Sequence, residues 1–85
     1  MNISKIEQRV LHALALGGAI RHERDDDGRL AEVHCMTREG RRLADCDLVL
    51  FGRLRRRGLI ASRAGAPYRI TRQGLSAVRA QLNQR

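Results

Sequence analysis

Residues 48–74 read LVLFGRLRRRGLIASRAGAPYRITRQG, and this stretch decides the fold. Asp47 precedes it as a helix N-cap, and Leu48, Leu50, Phe51 and Leu54 recur at helical spacing as an apolar face. A wheel at about 100° per residue places Val49, Gly52, Arg53, Arg56 and Arg57 on the other side. Gly58 stops the helix, which is expected from about Leu48 to Arg57. Leu59 to Ser62 then reads as a strand, Ala64-Gly65-Ala66-Pro67 as a turn, and Tyr68-Arg69-Ile70 as the return strand. Thr71 caps a last helix whose apolar residues are Leu75, Val78 and Leu82, and Asn83-Gln84-Arg85 is expected to fray.

Upstream, Ser4-Lys5-Ile6-Glu7 is a capping box. Ile6, Val10, Ala13 and Leu14 follow at helical spacing with Leu11 beside them, and Gly17-Gly18 ends a helix expected over residues 4–16. Ala19 to Glu23 is a short extended segment. Asp25-Asp26-Asp27-Gly28 is a hairpin turn, and Leu30 to Met36 returns with Val33 and Cys35 alternating against Glu32 and His34. Thr37 to Gly40 is a second turn, and Arg42-Leu43-Ala44 a third short strand. The expected fold is α+β: one domain over residues 1–85, about three helices, a C-terminal β-hairpin and an additional N-terminal β-hairpin.

The chain has 85 residues, enough to bury about 60–65% of its unfolded surface. Phe51 and Tyr68 are its only Phe and Tyr and Trp is absent, so Leu, Ile, Val and Ala must build the core. The net charge is +8, and it is unevenly placed. Residues 1–34 carry five Lys or Arg against six acids, whereas residues 35–85 carry twelve Arg against three acids. After Asp47 no side-chain carboxylate remains, against nine arginines. Solubility does not require that asymmetry; it describes a surface that meets an anion, whether DNA, RNA or an acidic protein. Arg outnumbers Lys sixteen to one, which suits bidentate contacts to phosphate or carboxylate, although a GC-rich genome also favours Arg codons. No stretch approaches the ~18 apolar residues of a membrane span and no signal segment opens the chain, so a cytoplasmic protein with reduced thiols is expected.

The second half resembles winged-helix domains. Leu54 and Gly58-Leu59-Ile60 close a helix into a strand, and Tyr68-Arg69-Ile70-Thr71 with Gly74 leads from a wing into a packing helix. The resemblance implies that the residue 48–57 helix packs Leu50, Phe51 and Leu54 on the first helix. Its outer face would then meet a partner or nucleic acid through Arg53, Arg56 and Arg57, with Arg63 and Arg69 on the wing. The hairpin-like residues 19–46 stand where that fold has a second helix.

The whole chain is similar to a narrower group, the YjhX-like bacterial toxins. The residues that carry this resemblance are Met1-Asn2-Ile3-Ser4, Glu7-Gln8-Arg9, Leu11-His12, Gly17-Gly18, Arg38-Glu39-Gly40, Leu43-Ala44-Asp45-Cys46, Leu59-Ile60, Pro67-Tyr68-Arg69-Ile70 and Val78-Arg79-Ala80-Gln81. What it implies is the toxin of a toxin–antitoxin pair that inhibits DNA topoisomerase I and is relieved by an acetyltransferase-like antitoxin. It implies no catalytic residues. A DNA-binding transcriptional regulator is the alternative the residues leave open.

Other signals are weaker. Asp25, Asp27 and Gly28 match the start of a calcium loop, but His34 stands at the twelfth position, where a bidentate Glu is needed. Cys35, Cys46, His22 and His34 lack the spacing of a zinc set, so no metal or cofactor is expected, and buried thiols are the better reading. No Ser or Cys has a base beside it and no phosphate-binding glycine loop is present, so no enzyme is expected. Leu16 falls away from the core face of the first helix.

Overall fold

The computed structural model describes the backbone of residues 3–83 and the side chains of residues 3–80. Expectations placed on Met1, Asn2, Gln84, Arg85 and the side chain of Leu82 lie outside the described residues. The chain folds as α1 (Lys5–Ala15), β1 (Ala19–Arg24), β2 (Leu30–Met36), β3 (Arg42–Leu43), α2 (Leu48–Arg56), β4 (Ile60–Ala61), β5 (Arg69–Ile70) and α3 (Arg72–Asn83). This is a small α+β domain with three helices and antiparallel sheets. No helix among the described residues is long and apolar enough to cross a membrane.

Helix α1 starts as its capping box dictates. The Glu7 amide donates to Ser4 Oγ at 3.1 Å, and the Ser4 amide donates to Glu7 Oε1 at 2.9 Å. Its buried stripe is Glu7, Val10, Leu11 and Leu14, and Ile6 is 46% exposed. The apolar pattern had placed Ile6 inward. The helix is rotated so that a carboxylate takes the inward position, because Ser4 and Arg57 satisfy it there. Leu16 caps the helix and is exposed, as the pattern expected, and Gly17 follows with φ +109°.

Strands β1 and β2 form a hairpin that pairs Ile20 with Cys35, His22 with Val33 and Glu23 with Glu32, with an irregularity between Glu23 and Arg24. Strand β3 adds Leu43 opposite Cys35; Ala44 falls outside it. The two turns of this sheet are built alike. Asp25 Oδ1 accepts from the Arg29 amide at 2.9 Å, and Thr37 Oγ1 accepts from the Arg41 amide at 3.0 Å. Each turn has a left-handed glycine three residues on, Gly28 and Gly40.

Strands β4 and β5 form a second hairpin, with Ile60 opposite Ile70. Its turn places Ala64 at φ +53° and Gly65 at φ +78°, and the Ala66 amide donates to the Arg63 carbonyl at 3.0 Å. The two sheets meet at one antiparallel bridge. The Ile20 amide donates to the Tyr68 carbonyl at 2.9 Å, and the Tyr68 amide donates to the Ile20 carbonyl at 2.8 Å.

Phe51, Leu11, Ile20, Leu54, Leu59, Val10 and Cys35 are fully buried. The Tyr68 ring stands edge-on between Phe51, at 4.8 Å, and His22, at 5.3 Å. Helix α2 rests chiefly on β2 and β4, and the helix beside α1 is α3. Leu50, Phe51 and Leu54 of α2 share one core with Val10, Leu11 and Leu14 of α1, and with a hairpin in place of a second helix strand β2 adds to the surface that α2 covers. Leu48 is corrected, since it is 43% exposed rather than core-facing. In α3, Ala77 and Val78 are buried and Leu75 is half-buried, and the helix takes in Asn83.

Candidate partner-binding face

Helix α2 is held at both ends. At its start the Leu50 amide donates to Asp47 Oδ1 at 2.8 Å. At its end the α3 cap closes over it: Thr71 Oγ1 donates to the Gly58 carbonyl at 2.7 Å, and Gln73 Nε2 donates to the Arg57 carbonyl at 3.2 Å. These carbonyls would otherwise be orphans of the helix C-terminus. The helix is thereby fixed with Leu50, Phe51 and Leu54 inward and Leu48, Val49, Gly52, Arg53, Arg55 and Arg56 outward.

The five arginines expected to meet a partner divide into three kinds. Arg57 turns inward: its Nη1 donates to Glu7 Oε2 at 3.1 Å, with Glu7 almost fully buried. Arg57 is seven residues, about two turns, past Leu50, so both lie on the same side of the helix; that spacing was readable in the sequence. Arg69 is exposed and donates from Nη1 to the Gly17 carbonyl at 3.3 Å, beyond the end of α1. Arg53, Arg56 and Arg63 are exposed and make no ion pair among the described residues. The structure thus gathers Arg53 and Arg56 on one helix face and places Arg63 in the β4–β5 turn.

Glu7 sits within this electrostatic arrangement. Burial pushes its carboxyl up, but the two Ser4 hydrogen bonds and the Arg57 and Arg53 charges outweigh it, so the group titrates below the ordinary carboxylate range.

Sequence reasoning missed two features of the face. Arg55 lies over the Tyr68 ring, its guanidinium carbon 6.0 Å from the centroid. Leu48, Gly52, Arg55 and Arg56 also share one stripe, at helical spacing, beside the edge of Phe51 and Leu30 of β2. Together they line a groove of about 570 Å³. The i, i+4, i+7, i+8 spacing of those four residues was the available signal.

The other titratable groups are separate from this face. The Cys35 and Cys46 thiols are buried and hydrogen-bonded to each other; the contact pushes Cys46 up and Cys35 down from ordinary thiol values. The β pairing turns His34 to the opposite side of the sheet from Cys35, so the four residues considered as a zinc set do not converge. On that outer side Glu23, Glu32 and His34 bring ligand atoms within 4.8 Å of one another.

Comparison with known proteins gives a family. The pattern of a family described as "Putative toxin of bacterial toxin-antitoxin pair" matches residues 1–85. The chain is 65% identical to a UPF0386 protein of Parvibaculum lavamentivorans over the full length of both. It is 64% identical to one of Rhodospirillum centenum, covering all of this chain and 99% of the other. With one of Aliivibrio fischeri it shares 53% identity over the full length of both. No solved structure matches. Spanned from its first residue to its last by that pattern, the chain belongs to the YjhX toxin family.

Proposed function

We propose that this chain is a cytoplasmic, non-enzymatic toxin that binds DNA topoisomerase I and blocks it, and that an antitoxin protein relieves the block. The observation that carries the reading is the outer face of α2. Arg53, Arg55 and Arg56 project from a helix fixed at both ends, in a half of the chain with no side-chain carboxylate after Asp47. Such a face grips acidic protein surface, or clamps an enzyme–DNA complex through phosphates. It is the wrong sign for a mimic of DNA. In the winged-helix reading α2 is the recognition helix and the β4–β5 hairpin the wing. The helix–hairpin–helix order and the Ile20–Tyr68 bridge support that assignment. Arg63 and Arg69 then extend the cationic surface from helix to wing.

The test is capture of purified topoisomerase I by the purified chain, with and without nuclease. Capture that survives nuclease supports a protein–protein inhibitor. The second reading, a DNA-binding regulator, is favoured by the same recognition-helix arrangement. It requires direct duplex binding whose logarithm falls with log salt at about −0.9 per phosphate contact.

A further inference from the structure

The groove along α2 contains a glycine that the chain itself does not need. Three glycines show the difference. A Cβ on Gly74 would stand 2.3 Å from the Leu59 carbonyl oxygen, and one on Gly18 would stand 2.5 Å from that of Met36. Internal packing excludes any side chain at those two positions. A Cβ on Gly52 would meet only the mobile guanidinium of Arg56, at 3.2 Å. Gly52 is not among the residues with positive φ, and it sits in the middle of α2. Glycine is among the poorest residues for a helix interior. Here it leaves the helix backbone at the floor of a groove covered only by the tip of the Arg56 side chain, and displacing that tip admits the close approach of another chain.

The rest of the groove states the chemistry of that chain. Leu48 is 43% exposed, and with Leu30 and the edge of Phe51 it makes an apolar lining. Arg55 and Arg56 bring two guanidinium groups to the same groove, and neither has an ion pair among the described residues. A nucleic-acid backbone gains nothing from Leu30 and Leu48. An amphipathic helix gains from both features, with apolar anchors at i, i+3 and i+4 on the lining and carboxylates on the arginines. We infer that this groove docks an acidic amphipathic helix of the protein partner, with Gly52 as the position of closest backbone approach. The inference rests on the proposed function and names the segment of the target that α2 recognises.

The experiment uses the full chain, a labelled 15-residue helical peptide with leucines on one face and glutamates flanking them, the same peptide with lysines for glutamates, and a DNA duplex. The variants are Gly52→Leu, which fills the groove with a better helix former, and the double variant Arg55→Ala/Arg56→Ala. Helical content by circular dichroism confirms that each is folded. Expected are binding of the glutamate peptide alone and its loss by tenfold or more in both variants. Equal binding of both peptides, no peptide binding, or a duplex that displaces the glutamate peptide and is weakened equally by Gly52→Leu would overturn the inference. A parallel measurement with DNA-free topoisomerase I separates the two levels. If the enzyme binds wild type and Gly52→Leu alike, the groove assignment falls and the proposed function stands. If it binds neither while the peptide results hold, the proposed function falls and the groove stands.

Discussion

Arg57 and Glu7, fifty residues apart, meet as a partly buried ion pair that ties the end of α2 to the first turn of α1. Glu7 also closes its own capping box, so one carboxylate serves two elements. Glu7→Gln leaves the Arg57 charge in a site built for a pair. Breaking a buried pair costs about 3–5 kcal/mol; Arg57 keeps a third of its side chain in water, so about 2 kcal/mol is expected, read from urea melts. The pH dependence has a definite sign. Because the folded group titrates below 4.5, its contribution is complete above that pH and is lost as pH falls through the lowered value. Wild type should therefore weaken below about pH 4.5 more steeply than Glu7→Gln.

Gly74 and Gly52 should respond oppositely to the same methyl group. Gly74→Ala forces a Cβ against the Leu59 carbonyl and against Ile70 Cγ1, at 2.6 Å, and should cost about 3 kcal/mol. Gly52→Ala displaces only the tip of Arg56 and should stabilise α2 by about 1 kcal/mol. Thermal melts of the two variants beside wild type decide both.

Ala64 stands in the left-handed region ahead of Gly65, where a hairpin turn with two positive φ values favours Asn-Gly. The Ala64→Asn variant should raise stability by about 1 kcal/mol. Its exposed position makes any loss of function in this variant a report on the turn rather than on the core.

The buried thiol pair should be inert in the native protein. Cys35 is fully buried and Cys46 nearly so, and the hydrogen bond that Cys46 donates to Cys35, together with burial, holds Cys46 well above the ordinary thiol range. At pH 8, iodoacetamide should label neither residue except through unfolding, with both labelled at once in denaturant. Mass spectrometry of the time course distinguishes these cases.

Local signals carried far in this sequence. The Ser4–Glu7 box, the Asp25–Gly28 and Thr37–Gly40 turns, the Asp47 cap and the Gly58 stop each act within a few residues, and each stands where the pattern put it. Long-range choices were not legible. Ile6 and Leu48 are apolar at helical spacing, yet both are exposed, because the rotation of each helix is set by partners elsewhere in the chain. The inward position of Glu7 depends on Arg57, and α2 also packs on β2 and β4. Within the candidate site the helical wheel put Arg53 and Arg56 outward and the hairpin pattern put Arg63 on the wing, and all three are exposed. The structural duty of Arg57 and the ring contact of Arg55 required the fold.

The most direct measurement is equilibrium binding of DNA-free topoisomerase I to wild type and to a variant with Arg53, Arg55 and Arg56 changed to Ala, over a series of potassium chloride concentrations. These guanidinium groups project outward, so the variant should keep its fold. A partner-binding role for this face requires wild type to bind with an affinity that falls with salt, and the variant to lose at least tenfold and most of that salt dependence. Equal affinity and equal salt response for the two proteins would contradict it.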